Sequence, residues 1–272
     1  MSGHPEISYP LDHLIAVGRT AEIFAWGDRR VIKLIRPDFP SYLADQEWRN
    51  ALAAWQLGAR VPKPIELLEI DGRRGVVFER IQGPNLIQSL QRNPFHLVGY
   101  ARLLARLQAA LHAIPAAMFP SQHERIQRNL ETSPFLAGDL KKRLLQRLAA
   151  LPDGDKLCHG DFHPQNIILT AQGPLIIDWE GCMRGNPSAD VAVTRLWMRY
   201  VVTFGAGAAG WLLRQTMRLF ERAYLAEYNR VAPAPADHQE VWIALVVASR
   251  LQELNPRAIP RLVPLIEAGL RP

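Results

Sequence analysis

Apolar residues fall in short, strand-like runs over the first eighty positions and at helical spacing after that. Leu14-Ile15-Ala16-Val17 and Ile23-Phe24-Ala25-Trp26 flank Gly18-Arg19-Thr20, which predicts two strands around a tight turn. Gly27-Asp28 precedes Val31-Ile32-Lys33-Leu34-Ile35, an apolar β-branched run with one charge inside it. The pattern from Asp45 to Leu57 is helical and stops at Gly58, and Val61-Pro62-Lys63-Pro64 leaves it extended. Ile65–Ile70, an Asp71-Gly72 turn and Gly75–Ile81 predict a hairpin. Residues 1–82 therefore read as a small antiparallel lobe with one helix.

Beyond a short connection near Glu79–Pro84, residues 97–114 and 138–151 carry Leu and Ala at helical spacing with Arg opposite. The same period returns at Ala189–Val202, Trp211–Tyr228, Gln239–Leu254 and, interrupted by Pro264, Arg261–Ala268. One strand-rich island, Leu157–Ile177, lies between them, with apolar runs at Ile167–Leu169 and Leu175–Ile177. The class is α+β: a strand-rich lobe at 1–82 and a larger, mainly helical lobe at 83–272.

Composition narrows the classes. Of 272 residues, 48% are hydrophobic and 21% charged, as in folded globular chains rather than disordered or collagenous ones. No apolar run approaches the roughly 20 residues of a membrane helix, and MSGHPEISYP lacks the basic start and apolar stretch of a signal peptide. Cys158 and Cys182 form neither a CxxC pair nor a framework. The expectation is a cytoplasmic protein with reduced thiols and no membrane partner. The net charge of +6 comes from 27 Arg and only 5 Lys, scattered with no run longer than Lys141–Arg143 and with no nucleic-acid motif. That reads as a solvated surface, not a nucleic-acid face.

The chemistry concentrates in the island. It runs His159-Gly160-Asp161-Phe162-His163-Pro164-Gln165-Asn166, and Asp178-Trp179-Glu180 begins twelve residues after Asn166. Each polar group borders an apolar strand, where a bare charge is expensive without a partner. Asn166 and Asp178 flank a predicted hairpin, a placement that would let both face one cation. Phosphoryl transfer needs such a set: a carboxylate for the nucleophile's proton, and oxygen ligands for magnesium on the phosphates.

The order Lys33, Glu47, Asp161, four residues, Asn166, then Asp178 resembles the kinase pattern of strand lysine, helix glutamate, catalytic loop and metal turn. The His-Gly-Asp-Phe-His-Pro-x-Asn form followed by Ile-Asp-Trp-Glu is similar to the aminoglycoside phosphotransferase and choline-kinase-like family. Leu111-His112 and Gly185-Asn186-Pro187-Ser188-Ala189-Asp190 extend the likeness. The resemblance implies a two-lobed protein-kinase-like fold whose first lobe binds nucleotide and whose second holds the catalytic loop and acceptor site. It implies transfer of the γ-phosphoryl group of ATP, with GTP left open, to a hydroxyl of a small molecule such as a sugar or an antibiotic. Asp161 would be the base, Asn166 and Asp178 would hold Mg2+, Lys33 would bind phosphates, and Glu47 would fix Lys33. Amides near Thr20 would face phosphate, and backbone groups at Glu79 and Ile81 would take the nucleobase edge. Lys33 also stands on its own: amid so many arginines, a compact ammonium inside a strand suits a phosphate better than a fork does. The phosphate loop has one glycine, Gly18, and no Arg precedes Asp161, so a protein substrate is not expected. A monomer or a homodimer fits equally.

Other readings compete. His159, Asp161 and His163 spell a zinc-like H-x-D-x-H, which would make a metal-dependent hydrolase, but no further ligands of suitable spacing join them. His159 reads as structural and His163 as orienting the loop. A nucleotide-binding module without turnover is a third reading, opposed by the intact Lys33, Asp161, Asn166 and Asp178. Gly205–Gly210 matches G-x-G-x-x-G but lacks a βαβ unit, and reads as a helix connection. Both cysteines are expected in the core, their thiols raised by neighbouring carboxylates. Asp190 reads as a brace for the catalytic loop rather than a third metal ligand. Trp197, Trp211, Tyr224, Tyr228 and Trp242 are candidates for core or for an acceptor pocket. Finally, Glu221, Glu227, Asp237, Glu240, Glu253 and Glu267 are set against Arg195, Arg199, Arg214, Arg218, Arg222, Arg230 and Arg250, which argues against a highly cationic acceptor and for a neutral or anionic alcohol.

Overall fold

The computed structural model describes residues 11, 13–201, 207–232, 237–253 and 259–271. The chain forms two compact units: Met1–Gly83 with Ile168–Glu180, and Pro84–Ile167 with Gly181–Pro272. The division expected from composition differs from these units by the 168–180 segment, which packs with the first. Two contacts show why. Ile176 N–H donates to Arg60 O at 2.7 Å. Gly83, at φ +155°, lies so close to the Leu169 carbonyl that a Cβ has no room.

The first unit is a five-stranded antiparallel sheet in the order β1-β2-β3-β5-β4. Its strands are β1 Leu14–Val17, β2 Ala21–Trp26, β3 Arg30–Ile35, β4 Pro64–Ile70 and β5 Arg73–Glu79, with helix α1 at Tyr42–Gln56. Strand alternation gives each face its job. Ile32 and Leu34 pack with Trp26 and Val77 in a core on one face, while Lys33 between them takes the other, in register with Ile23 and Val76. On α1 the buried residues Ala44, Glu47, Asn50, Ala51 and Ala54 recur at helical spacing. That stripe carries two polar side chains inward.

The second unit is mainly helical: α2 Leu86–Arg92, α3 Leu97–Leu111, α4 Gln122–Thr132, α5 Gly138–Ala149, α6 Pro187–Val201, α7 Gly207–Val231, α8 Gln239–Ser249 and α9 Ile259–Gly269. Its core joins α4, α5, α6, α8 and α9 through residues such as Leu130, Leu144, Val193, Leu245 and Ile266. Strands β6 Lys156–Cys158 and β9 Met183–Gly185 pair antiparallel beside it, whereas the predicted hairpin of β7 Ile167–Thr170 and β8 Gly173–Ile176 falls, but for Ile167, in the first unit. Pro264 sits inside α9. The sequence period missed α2 and α4 and carried the helix at 97–114 three residues too far. Of the G-x-G-x-x-G segment, Gly205 and Ala206 lie outside the described residues, and Gly207 opens α7. The MSGHPEISYP start also lies outside them. No helix among the described residues is long and apolar enough to cross a membrane.

Candidate phosphotransfer site

Within the first unit, Lys33 Nζ lies 2.8 Å from Glu47 Oε1 and 2.8 Å from Asp178 Oδ1. The Lys33 and Glu47 side chains are 14% and 3% exposed, and Asp178 is 42% exposed. Burial alone would lower the lysine's pKa, but the Asp178 and Glu47 carboxylates outweigh it and hold the ammonium above its ordinary value. Burial pushes Glu47 up to about 7 against the pull of Lys33. Its Oε2 is buried without a hydrogen-bond partner, which favours the protonated form.

That shift has a sign. The folded chain holds a proton on Glu47 that the unfolded chain releases near 4.5. The contribution is therefore fully present below pH 4.5 and lost as pH rises through about 7. Melting temperature of the nucleotide-free protein should fall across that window, and Glu47→Gln should flatten the slope. Thermal melts from pH 5 to 8 on both proteins check this; parallel slopes would refute it.

The Asp178 turn is held by α1. Asn50 Nδ2, one turn after Glu47, lies 3.0 Å from both the Trp179 and Glu180 carbonyls, and Gln46 Nε2 donates to Glu180 O at 2.9 Å. Trp179 is buried, with its Nε1 donating to Ile176 O at 2.8 Å. Asp178 itself sits at φ +70°, a left-handed conformation uncommon for a residue with a Cβ and typical of functional turns. Sequence reasoning missed Gln46 and Asn50, although the i, i+3 spacing of Glu47 and Asn50 was there to read.

The remaining first-unit candidates are backbone positions. Ala21 and Glu22 belong to the β2 ladder, in register with Ile35 and Leu34, and Thr20 lies in the turn just before it. Gly18 N–H closes that turn onto Ala21 O at 2.8 Å. At the end of β5, the Glu79 and Arg80 amides donate to Lys63 O and Arg29 O. Lys63 N–H bonds the Glu79 side chain, at 3.1 Å, rather than its carbonyl. The Glu79 carbonyl and the Ile81 N–H come at this end of β5.

In the second unit, Asp161 follows Gly160, whose φ of +78° and contact with the Gly181 carbonyl exclude any side chain. Burial would raise the Asp161 pKa, but the hydrogen bond to His163 and the nearby His163, Arg250 and His159 hold it well below the usual carboxylate range. His163 Nε2 is 3.4 Å from Asp161 Oδ2 and Arg250 Nη1 is 3.7 Å from Oδ1. Asn166 Nδ2 donates to Asp161 O at 3.0 Å. Using the amide nitrogen inward leaves Oδ1, a hard oxygen, as the atom able to accept a cation. His163 stacks on Trp197 with centroids 5.1 Å apart and rings 12° from parallel, which fixes it as a loop support.

Asp190, at the start of α6 and fully buried, binds the loop from behind. It accepts from Gly160 N at 2.7 Å, His159 N at 3.3 Å and Gln108 Nε2 at 2.9 Å, and meets His112 Nε2 at 3.1 Å. With all these neighbours inside the protein it is a brace, not an open metal ligand. Asp190→Ala would strand them without water, at a cost of about 3–5 kcal/mol. Chemical denaturation should show that loss; a change under about 1 kcal/mol, the scale of a surface substitution, would refute the brace.

His159 is buried and its Nδ1 accepts the Asp161 amide at 3.3 Å, so the two histidines do not converge as zinc ligands. Among the described residues no group of three His, Cys, Asp or Glu could hold a metal ion. Cys158 and Cys182 are buried, and burial plus Asp190 raises both thiols. Tyr224, Tyr228 and Trp242 are core, and Trp211 is exposed. Asp178 in the first unit and the Asn166 amide in the second each offer an oxygen, a hard donor of the kind magnesium takes.

Three comparisons bear on this arrangement. Residues 14–233 match the model of the phosphotransferase enzyme family, APH. No curated protein matches the chain. Among solved structures, a thermostable mutant of aminoglycoside phosphotransferase APH(4)-Ia is 13% identical, with 96% of this chain and 92% of that chain covered at TM-score 0.63. The amicoumacin kinase hAmiN, solved with AMP-PNP, Ca2+ and Ami, is 16% identical over 96% and 90% at 0.60. Aminoglycoside phosphotransferase APH(3'')-Id from Streptomyces rimosus is 18% identical over 89% and 93% at 0.58. Such identities speak for the fold, which is the protein-kinase-like one expected above. Because the family match runs from β1 past the end of α7, and so takes in Lys33, Glu47, Asp161, Asn166 and Asp178, the chain belongs to the phosphotransferase enzyme family.

Proposed function

We propose that this phosphotransferase moves the γ-phosphoryl group of ATP, with Mg2+, to a hydroxyl of a small acceptor. The observation that carries the reading is Lys33 Nζ at 2.8 Å from both Glu47 and Asp178. A buried lysine held by hydrogen bonds to both side chains is a compact cation fixed in place, the group that suits the phosphates of a magnesium-bound nucleotide. Magnesium, when bound, neutralises charge on the phosphates. Asp178 and Asn166 would supply protein oxygens to it, Glu47 holds Lys33 toward the phosphates, and the Thr20 turn offers backbone amides.

Asp161 stays ionised at neutral pH, so it accepts and orients the acceptor hydroxyl from the outset. The acceptor oxygen bonds to the γ-phosphorus, and the β,γ-bridging bond breaks with its electron pair leaving on ADP. The hydroxyl proton passes to Asp161. At the nucleobase, the Glu79 carbonyl accepts and the Ile81 N–H donates, complementary to an amino group beside a ring nitrogen as in adenine. The related amicoumacin kinase, solved with AMP-PNP, supports the same donor class.

Titration calorimetry with Mg2+ should give ATP binding of micromolar to millimolar strength, the ordinary range for enzyme substrates. GTP should bind more weakly. Absence of ATP binding with Mg2+ present would sink the reading, and tighter GTP binding would transfer it to the other nucleotide.

A further inference from the structure

The carboxylates of α6, α7 and α8 are already engaged. Glu221 Oε1 accepts Arg195 Nε at 2.8 Å and lies 3.2 Å from Arg199. Glu240 lies 3.2 and 3.1 Å from the same two arginines. Glu227 meets Arg106 at 2.5 Å and Arg230 at 2.7 Å. Asp190 is buried among its own donors. A polycationic acceptor would have to displace arginines from these pairs, at the cost of leaving the arginines without partners.

The charge beside Asp161 is of the opposite kind. Arg250, at the end of α8, donates through Nη2 to the Gly160 carbonyl. Its Nη1 sits 3.7 Å from Asp161 Oδ1, beyond hydrogen-bond reach, and its side chain is 23% exposed. Of its five N–H groups the described residues engage few, and the guanidinium fork fits a carboxylate or phosphate two bonds at a time. The cleft next to Gly160 adds Gln122, Arg125 and Asn129, with no carboxylate among its lining residues. An anion placed near Asp161 would be repelled by it, and Arg250 offsets that repulsion at the same spot.

We propose that the acceptor is an anionic alcohol, a small hydroxy compound bearing a carboxylate or phosphate, whose acid group is received by Arg250 while its hydroxyl meets Asp161. This rests on the phosphotransferase reading of Asp161 given above. The proximity of Arg250 to Asp161 places acid group and hydroxyl within a few bonds of each other.

The test uses matched pairs on the full chain: glycerol against glycerate, glucose against gluconate, glucose against glucose 6-phosphate, with kanamycin as the polycation. Mg-ATP binding is measured first, then ADP release with each compound, for wild type, Arg250→Gln and Arg250→Lys. Circular dichroism and melting confirm folding of both variants. At least one acid should exceed its neutral partner in kcat/KM by about 10- to 100-fold, the worth of a charged hydrogen bond. Gluconate and glycerate report a carboxylate subsite, glucose 6-phosphate a phosphate one. Arg250→Gln should erase the advantage with the KM for ATP unchanged, and Arg250→Lys should restore part of it. Preference for a neutral compound or kanamycin, equal use of both partners, or silence from every acid would overturn the proposal. So would an Arg250→Gln variant that raises the KM for ATP and keeps the acid advantage, since the fork would then serve the nucleotide. Loss of Mg-ATP binding in wild type would instead remove the phosphotransfer reading itself, so the two failures are separable.

Discussion

Asp161→Asn should lower turnover by about 10²–10⁴-fold, the contribution of a positioned acid–base group, while ATP affinity stays near wild type. The substitution keeps size and shape. It also keeps the backbone contacts that shape the loop, since Asn166 bonds the Asp161 carbonyl and His159 accepts its amide. On the proposed mechanism, what it removes is the negative oxygen that accepts the hydroxyl proton. An amide presented there can turn its NH2 toward the acceptor and would then repel the hydroxyl hydrogen. Because Asp161 is held well below the usual carboxylate range, the carboxylate is present throughout the neutral range, so the deficit should be the same at pH 6 and pH 8. Single-turnover rates with saturating nucleotide measure it, and wild-type turnover in the variant would remove Asp161 from the mechanism.

Where the chemistry was local, the sequence was readable. Asp161, Asn166 and Asp178 fall within eighteen positions, and Lys33 announced itself as a charge inside an apolar strand. Strand alternation then sufficed to put it on the face opposite Ile32 and Leu34. Residues that act through distant partners were not readable. Arg250 reaches Gly160 across ninety positions, and nothing in its own neighbourhood marks it out among 27 arginines. Gln46 and Asn50 bind carbonyls about 130 residues away, and their helix looks like any amphipathic helix. The missed helices are a different case, because their start signals were legible. Asn85 and Gln88 cap α2 reciprocally at 2.8 and 2.9 Å, and Ser121 accepts the Glu124 amide at the start of α4. Apolar period marks neither, since α4 is strongly polar and α2 is only seven residues long. The affiliation of 168–180 with the first unit depends on contacts such as Gly83 with Leu169, which chain order hides.

Asp178→Ala should be the most damaging change in the first unit. It removes the hard oxygen proposed for magnesium and one of the two side chains that orient Lys33. Negative charge on the phosphates would then stand uncompensated against an approaching nucleophile. Transfer should fall by at least about 10³-fold, the scale of losing an electrostatic anchor, and magnesium-dependent ATP binding should weaken with it. His163→Ala should cost less than about 10²-fold, as expected for displacement of a loop rather than loss of a reacting group. The loop keeps Pro164, the Asn166 bond to the Asp161 carbonyl and the Asp190 brace behind it, and loses the ring stacked on Trp197 with its 3.4 Å contact to Asp161 Oδ2. A zinc site built on His159, Asp161 and His163 requires the reverse order. Losing His163 would then empty a stoichiometric metal, and losing Asp178 would leave nucleotide binding untouched. Bound-metal analysis and magnesium-dependent ATP titration on both variants separate the cases. A zinc equivalent lost with His163→Ala, together with normal ATP binding in Asp178→Ala, would overturn the assignment of these residues.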